Sequence, residues 1–505
     1  MIARASIKII PLLLSIMLLV ACGPAQNTEQ LPAETRNVIL FIGDGFGAAQ
    51  TSLGVQYARL IEKRELNIES LMHDGNTGYS LLLPFGSIVI DSAAAATQLA
   101  TGQAVRNETL GLNPDGYPIE TIVEWAHEHG LGTGLVTNMR ITHATPAAFA
   151  VHQGSRYNSA QTLMDDLLQD GDVDVFLVGG ARALVPAGTL ASAAFPGIPK
   201  ELDGESIRDD EINWADELAG QGFAIVSDST SLRQAASSAT KLLGIFSADS
   251  LPYVIDGRQM SLSTVPTLAE MTSAALDVLS RRDEGFFMLV EGGRIDYAAH
   301  ANDPGTLLHE ILDFDAAVGK GLEFQRSHPD TLVVVTGDHG TGGFSFTDAD
   351  FGPATELLLD SGIVYQPGCC YPPNDRLNIL FQQNASYSYI LQQADMDPDK
   401  LVELVLVHTG LEMTMDEARE ALVRDEQGLP GTKDFRRYHT DPDDSASALL
   451  GLALARHNYV VWSTGEHTSD LVPTYGRGPG AEKLRGIYTN THIYSVMRET
   501  LEAGR

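Results

Sequence analysis

The stretch from residue 286 to residue 300 constrains the fold of this chain most strongly. Residues 286–290 (Phe-Phe-Met-Leu-Val) form an apolar run that predicts a buried strand, and Glu291 ends this run before two glycines. Asp296 and His300 follow four positions apart, which places a carboxylate and an imidazole on one face of a helix. Because open α/β sheets keep their sites at the carboxyl ends of their strands, the stretch predicts half of a metal site. The alternative is an ion pair on the surface of a helix.

Strand-like and helical patterns alternate along most of the chain. Strand-like runs lie at residues 37–42, 87–90, 131–137, 173–178, 223–226, 242–246, 286–290, 331–336 and 459–463. Helical patterns include residues 120–129, 267–279 and 307–322. This alternation predicts an α/β domain over residues 36–505, with a mostly parallel central sheet flanked by helices on both faces. Residues 347–455, with a helical pattern at 413–424, interrupt it and predict an insertion or cap subdomain before the last core strand.

Possible metal ligands follow several of these strand-like runs. Asp44 lies in a Gly-Asp-Gly turn after the first run, Asp338 and His339 follow residues 331–336, and His467 follows the last run. A parallel sheet brings the carboxyl ends of its strands to one edge, so we expect these side chains to meet there. Carboxylates and imidazoles without thiolates are suited to Zn²⁺ and Mg²⁺. The pattern therefore predicts a site for several metal ions.

A serine and an arginine are candidates for the chemistry at such a site. Ser92 precedes four alanines that favour a helix, so it lies at a helix N-terminus, where an alkoxide or a phosphate is stabilised. Bound to one of two close metal ions, Ser92 would be a metal ligand held as an alkoxide nucleophile for in-line displacement. Arg156 could hold a phosphate through its guanidinium fork. The alternatives are that Asp91 or Ser92 only caps the helix and that Arg156 is a surface arginine.

The N-terminus is typical of an export signal. Arg4 and Lys8 precede an apolar run at residues 9–20, which ends in Leu-Val-Ala-Cys. This pattern resembles a bacterial lipoprotein signal over residues 1–21, with a lipid on the sulfur of Cys22 and a polar tether over residues 22–35. We expect an exported protein anchored to a bacterial membrane and facing the periplasm or the cell surface. An ordinary secretory signal is the alternative.

Charge and cysteine content exclude some classes of protein. Lys and Arg number 33 against 66 Asp and Glu, a net charge of −33, which disfavours nucleic acid as a specific partner. A phosphate-binding site would need local positive charge from metal ions and an arginine. Apart from Cys22 the cysteines are the neighbours Cys369 and Cys370, which indicate neither a disulfide framework nor a CxxC zinc motif.

Over about residues 36–346 and 458–492, these motifs resemble the alkaline phosphatase family. The motifs are Asp-Ser-Ala-Ala-Ala-Ala-Thr at 91–97, His-Ala-Thr-Pro-Ala-Ala at 143–148, Glu-Gly-Gly-Arg-Ile-Asp at 291–296 with His300, Asp-His at 338–339, and Gly-Glu-His-Thr at 465–468. The resemblance implies hydrolysis of small-molecule phosphate monoesters through a phosphoserine at Ser92, with Arg156 binding the phosphate. It implies two zinc ions and one magnesium ion, and a homodimer, as in many members. The implied ligands are Asp296, His300 and His467 for the first zinc; Asp44, Asp338 and His339, beside Ser92, for the second; and Asp44, Thr145 and Glu291 for magnesium.

Two residues differ from the best-known bacterial members of this family. His143 stands where those enzymes have aspartate, so the resemblance leaves the identity of the third metal ion open, with His143 as a candidate ligand. Tyr297 stands where they have lysine, which removes one implied contact to phosphate.

Two alternatives to a monoesterase stay open from the sequence. One is a phosphodiesterase on the same scaffold. The other is a surface lipoprotein that binds metal or phosphate without catalysis. A sulfatase is disfavoured because the Ser92 motif lacks the arginine that sulfatases require.

Overall fold

A ten-stranded sheet forms the centre of the computed structural model, which describes residues 36–169, 171–348, 356–367 and 371–504. The strands are β1 Asn37–Gly43, β2 Thr77–Leu81, β3 Gly132–Arg140, β4 Val175–Gly179, β5 Ala224–Val226, β6 Leu242–Ile245, β7 Phe286–Gly292, β8 Thr331–Gly337, β9 Gly340–Thr341, β10 Ser345–Phe346, β11 Leu357–Leu358, β12 Val364–Tyr365, β13 Val460–Val461, β14 His467–Thr468, β15 Val472–Arg477 and β16 Gly486–Thr489. The order in the sheet is β16-β2-β15-β8-β1-β7-β3-β4-β6-β5. Strand β15 runs antiparallel to β2 and β8, and the other described pairs in this sheet are parallel.

Helices cover both faces of this sheet. They are α1 Ala48–Tyr57, α2 Asn67–His73, α3 Ser92–Thr101, α4 Ile122–Glu128, α5 Ala144–Ala147, α6 Ala160–Gln169, α7 Ala191–Ala194, α8 Trp214–Gly220, α9 Ser229–Ala236, α10 Val254–Gln259, α11 Leu268–Leu279, α12 Arg294–His300, α13 Pro304–Ser327, α14 Asp375–Gln382, α15 Tyr387–Ala394, α16 Pro398–Thr409, α17 Met415–Ala421, α18 Pro442–Asn458 and α19 Thr491–Ala503. A π-helical turn spans Ala58–Glu62, and short 3₁₀ helices span Ala181–Ala183, Lys200–Leu202, Phe435–Arg437 and Ala481–Leu484.

Strand β1 shows how the sheet forms two cores. Val38, Leu40 and Ile42 pack on one face with α3, α4 and α19, whereas Ile39 and Phe41 pack on the other with α1, α11 and α13. Every residue of β1 is buried, because a parallel strand between two helical layers has no face in water. The predicted α/β class, with helices on both faces of a mostly parallel sheet, is therefore confirmed.

Two of the predicted strands are wrong. Residues 87–90 form a loop in which Ile88 is 82% exposed, and the strand of this region is β2, whose Thr-Gly-Tyr-Ser-Leu sequence is not an apolar run. Residues 459–463 contribute only β13, which pairs with β10 outside the central sheet. The last strands of the sheet are β15 and β16. Pro473 and Gly476 interrupt the apolar pattern of β15, which hid it from the sequence analysis.

Between β8 and β15, residues 347–455 contain helices α14 to α17 and most of α18. The predicted helix at 413–424 is observed as α17. Helices α15 to α18 share an apolar core that includes Tyr387, Ile390, Leu401, Val405, Ala418, Leu450 and Leu454. That this segment acts as a cap stays a prediction.

Some sequence predictions fall outside the described residues: the signal at residues 1–21, the tether at 22–35 with Cys22, and the pair Cys369 and Cys370. In the part of the chain that the structure describes, every helix is too short or too polar to cross a membrane.

Candidate active site

Three adjacent parallel strands bring carboxylates to one edge of the sheet. Strand β1 lies between β7 and β8, with Gly43 in register with Gly292 and Gly337. Asp44 follows β1, Asp338 follows β8, and Glu291 lies near the end of β7 in register with residue 42. All three carboxylates are fully buried. The strand ends thus meet as the sequence analysis predicted.

His467 reaches the same edge by a different route from the one predicted. It lies in β14, which pairs with β9 in a separate two-stranded sheet, so that His467 is opposite Thr341. Its imidazole stacks on that of His339, with ring centroids 3.7 Å apart and planes inclined by 22°.

Asp296, His300 and His467 form the first group of potential metal ligands. His300 Nε2 lies 3.0 Å from Asp296 Oδ2 and 3.2 Å from His467 Nε2. His300 Nδ1 donates to the carbonyl of Gly465, and His467 Nδ1 donates to the carbonyl of Ile90 at 3.1 Å. Because each Nδ1 donates to a carbonyl, Nε2 is the nitrogen of each ring that can offer its lone pair to a metal ion, and the two Nε2 atoms lie on either side of the same space.

A second group consists of Asp44, Asp296 and His339, with Asp338 beside them. Asp338 Oδ1 accepts hydrogen bonds from the amides of Gly45 at 2.9 Å and His339 at 2.8 Å, while its Oδ2 lies 3.2 Å from His339 Nε2. Gly45 has a φ of 72° and its position for a Cβ would be 2.8 Å from the backbone of Asp296, so glycine is required at this turn.

Asp44, His143 and Glu291 form a third group. His143 Nδ1 lies 3.7 Å from Glu291 Oε1 and 4.0 Å from Asp44 Oδ2. The hydroxyl of Thr137 on β3 donates to Glu291 Oε2 and orients this carboxylate. The hydroxyl of Thr145 is buried without a hydrogen-bond partner among the described residues.

Ser92 is the first residue of α3 and is 1% exposed. Its Oγ lies 3.2 Å from His339 Nε2, next to the second group of potential ligands. Asp91 caps the helix by accepting a hydrogen bond from the amide of Ala94 at 3.0 Å. Asp91 Oδ2 also accepts from Arg156 Nη1 at 3.1 Å. Ser92 and Arg156, the two residues predicted for the chemistry, line one cavity of about 430 Å³. Ser92 lies at a helix N-terminus, as predicted.

Sequence reasoning placed the predicted ligands but missed the side chains that orient them. Thr137 holds Glu291, Thr341 Oγ1 donates to Asp296 Oδ1 at 2.5 Å, and Asp91 holds Arg156. Only the capping role of Asp91 had a signal in the sequence. Thr137 contacts Glu291 through the register of β3 and β7, and Thr341 contacts Asp296 on helix α12 from β9. A single sequence specifies neither contact.

Several buried polar atoms of this site have no hydrogen-bond partner among the described residues. They are both carboxylate oxygens of Asp44, Oε1 of Glu291, Oδ2 of Asp338, Nδ1 of His143 and Oγ1 of Thr145. Buried charges without a partner are unfavourable, and a cation supplies the missing partner. The donor set thus fits divalent metal ions.

Burial and the crowding of charged groups also shift the pKa values of these potential ligands. Burial, followed by the negative charges of neighbouring carboxylates, raises the pKa of Asp44, and burial with the charge of Asp296 raises the pKa of Asp338 to about 8. For His300, burial would lower the pKa, but the Asp296 carboxylate outweighs this effect and raises the pKa to about 10. A bound divalent cation would replace these protons, because metal ligands must be deprotonated.

An α/β sheet edge that combines three overlapping groups of metal ligands with a serine at a helix start and an arginine defines a metal-dependent enzyme. The alkaline phosphatase family model matches residues 35–503, and the chain belongs to the alkaline phosphatase family. It is thus an alkaline phosphatase, a metal-binding hydrolase of small-molecule phosphate monoesters.

Individual relatives cover nearly the whole chain. Alkaline phosphatase 4 of Bacillus subtilis (strain 168) is 28% identical over 497 residues, which are 95% of this chain and 92% of that protein. The structure of Thermus thermophilus alkaline phosphatase superposes with a TM-score of 0.78 at 28% identity, covering 97% of this chain and 96% of that one. The cold-active alkaline phosphatase from a psychrophilic Shewanella has a TM-score of 0.70 at 27% identity, with 92% and 99% covered.

Proposed function

We propose that this enzyme hydrolyses phosphate monoesters through a phosphoserine at Ser92, at a site for two zinc ions and one magnesium ion. The observation that carries the proposal is the position of Ser92 Oγ, 3.2 Å from His339, beside three groups of potential metal ligands. Serine adjacent to metal ligands at a helix N-terminus is suited to nucleophilic attack on phosphorus.

In this proposal each metal ion has its own ligands. Asp296, His300 and His467 would hold one zinc ion, and Asp44, Asp338 and His339 the other. Asp44, Thr145 and Glu291, with His143 beside them, would hold magnesium. When bound, the ions supply positive charge for the attacking and leaving oxygens and lower the pKa of bound water.

The residues of the chain position the ester and carry the phosphoryl group. The guanidinium of Arg156, held by Asp91, binds the non-bridging oxygens of the phosphate. Ser92 gives up its hydroxyl proton as Oγ forms a bond to phosphorus, while the ester oxygen leaves with its electron pair and takes up a proton as the alcohol. Water then loses a proton as its oxygen attacks the phosphoserine, the Oγ–P bond breaks, and phosphate leaves as Oγ regains a proton.

The proposal is tested by hydrolysis of a chromogenic phosphate monoester at alkaline pH. Metal-stripped protein receives Zn²⁺ and Mg²⁺ separately and together, and we expect activity to return with zinc and to rise further with magnesium. Recovery without zinc would contradict the assignment of the metals. Turnover of a diester, but not of a monoester, would establish the phosphodiesterase alternative, and turnover of neither would favour a non-catalytic binding protein.

We also propose that the mature enzyme is exported and anchored through a lipid on Cys22, facing the periplasm or the cell surface. The pattern of residues 9–22 supports this proposal. Expression of the full chain and of Cys22→Ser in a bacterium tests it. We expect the parent in the membrane fraction and the variant outside it, and equal distribution of both would contradict lipid anchoring.

We further propose a homodimer. Tyr79 on β2 and Ile487 on β16 are paired in register at the edge of the central sheet and are 41% and 66% exposed, and Leu81 on β2 is 42% exposed. Apolar side chains clustered in this way support a protein–protein contact. Light scattering should give twice the chain mass for the parent and the chain mass for Ile487→Asp. A monomeric parent would refute the dimer.

A further inference from the structure

Residues of the 347–455 segment hold the loop that leads to His467. The carbonyl of Tyr438 accepts hydrogen bonds from the amide of Gly465 at 2.6 Å and from Thr464 Oγ1 at 2.9 Å. This loop is therefore attached at two points to a segment that is remote in sequence.

Gly465 in turn holds a proposed metal ligand. Its carbonyl accepts a hydrogen bond from His300 Nδ1, which leaves His300 Nε2 directed at Asp296 and His467. The orientation of the His300 ring thus depends on where the Gly465 peptide lies. Tyr438 binds the amide of Gly465, and the carbonyl of the same glycine binds His300. Gly465 therefore links the 347–455 segment to His300 through two hydrogen bonds.

A second connection passes through Asn302, which lies two residues after His300 and is 3% exposed. Its Nδ2 donates to the carbonyl of Thr464 at 3.0 Å, and its Oδ1 accepts from His439 Nε2 at 3.1 Å. The backbone of Asn302 has a φ of 51°, a left-handed conformation that asparagine tolerates better than most residues. His439 stacks on Phe435 with centroids 3.9 Å apart, which fixes its ring.

We propose that Asn302 and His439 are positioning residues that hold the Gly465 peptide, and through it His300, in the geometry for metal binding. A Cβ at position 465 would lie 2.6 Å from His439 Cδ2, so the imidazole and this peptide are in direct contact. The inference rests on the proposed metal-dependent function. It gives the 347–455 segment a part in forming the site.

The test is the zinc affinity of metal-stripped protein, measured by competition with a chromogenic chelator. His439→Phe keeps an aromatic ring on Phe435 and removes the donor to Asn302. We expect one of the two zinc ions to bind about 10 to 100 times more weakly, as is typical when a partner of a metal-ligating histidine is lost. His439→Gln, whose amide can donate to Asn302, should recover most of the affinity.

His408→Phe is the matched control, because His408 is a buried histidine of the same segment whose Nδ1 lies 2.6 Å from Asn384 Oδ1. We expect this variant to bind zinc like the parent. Equal zinc affinity for the parent and His439→Phe would overturn the inference, as would the same loss in His408→Phe. If His439→Phe does not fold, Asn302→Asp takes its place, since its second carboxylate oxygen would face the carbonyl of Thr464 and should weaken zinc binding similarly. A parent chain that binds no zinc would instead refute the proposed function.

Discussion

Arg156 Nη1 donates a hydrogen bond at 3.1 Å to Oδ2 of Asp91, the residue that caps helix α3 in front of Ser92. One carboxylate therefore fixes the phosphate-binding arginine of the proposal relative to its nucleophile. Burial would lower the pKa of Arg156, but the Asp91 carboxylate outweighs it and raises the pKa, so the guanidinium stays charged at alkaline pH.

Removing the Arg156 guanidinium should weaken phosphate binding. A hydrogen bond to a charged group contributes about 1.5–3 kcal/mol, so Arg156→Ala should lose about 10- to 150-fold in kcat/KM and bind inorganic phosphate more weakly. Asp91→Asn keeps an oxygen for the helix cap but loses the charge that holds the arginine, and should give a smaller loss, mainly in KM. Steady-state kinetics with phosphate as inhibitor measure both effects. An unchanged inhibition constant in Arg156→Ala would show that this residue does not bind phosphate.

Substitution of Ser92 should separate chemistry from metal binding. We expect Ser92→Ala to lower kcat by about a thousandfold or more, because no nucleophile replaces the serine, while each protein molecule binds the same number of metal ions. Acid quenching of the parent during turnover of labelled monoester should leave label on the peptide that contains Ser92. Retained turnover by Ser92→Ala would exclude the phosphoserine route.

The ligands that end parallel strands could be predicted because their signals are local. Asp44 and Asp338 each follow an apolar run and a glycine, and parallel topology places such positions at one edge. Asp296 and His300 could be predicted from helical spacing alone. For Asp44 and Asp338, the apolar run that predicts a buried strand also gives the position of the ligand that follows it.

The rest of the site depends on contacts between distant segments. The sequence predicts that His467 follows a strand of the central sheet, whereas its position comes from the pairing of β14 with β9. Thr137 and Glu291 are partners because β3 and β7 align them in register, although the two residues are 154 positions apart. The bonds from the 347–455 segment to Thr464 and Gly465 have no repeating pattern, so a single sequence gives no signal for them.

His143 should influence which metal occupies the third group of ligands. Its imidazole lies 3.7 Å from Glu291 Oε1, and burial lowers its pKa, which keeps it neutral and able to bind a metal. Imidazole suits zinc, whereas carboxylates suit magnesium, so His143→Asp should lower the magnesium concentration needed for half-maximal activation, by about tenfold. Titration of zinc-loaded parent and variant with Mg²⁺ measures this shift. The same half-maximal concentration in both proteins would place His143 outside the metal site.

Glu310 on α13 should limit stability at alkaline pH. It is 2% exposed; its Oε1 accepts from the amide of Val254 at 2.7 Å, and its Oε2 has no hydrogen-bond partner in the described ranges. Burial, and then the charge of Asp313, raise its pKa from 4.5 to about 8. Above pH 4.5 the unfolded chain releases this proton while the folded chain retains it, so stability falls as the pH rises from about 4.5 to about 8 and then levels off.

Glu310→Gln removes this titration and keeps an oxygen for the Val254 amide. We therefore expect the melting temperature of the variant to exceed that of the parent by a few degrees at pH 9, and the difference to shrink toward pH 5. Thermal unfolding of metal-stripped parent and variant between these pH values measures it. Glu323→Gln is the control, since Glu323 lies on the same helix and its side chain is 65% exposed. This substitution should change the melting temperature little at every pH. A difference for Glu310→Gln that does not change with pH would show that Glu310 is ionised throughout, and that burial does not hold its proton.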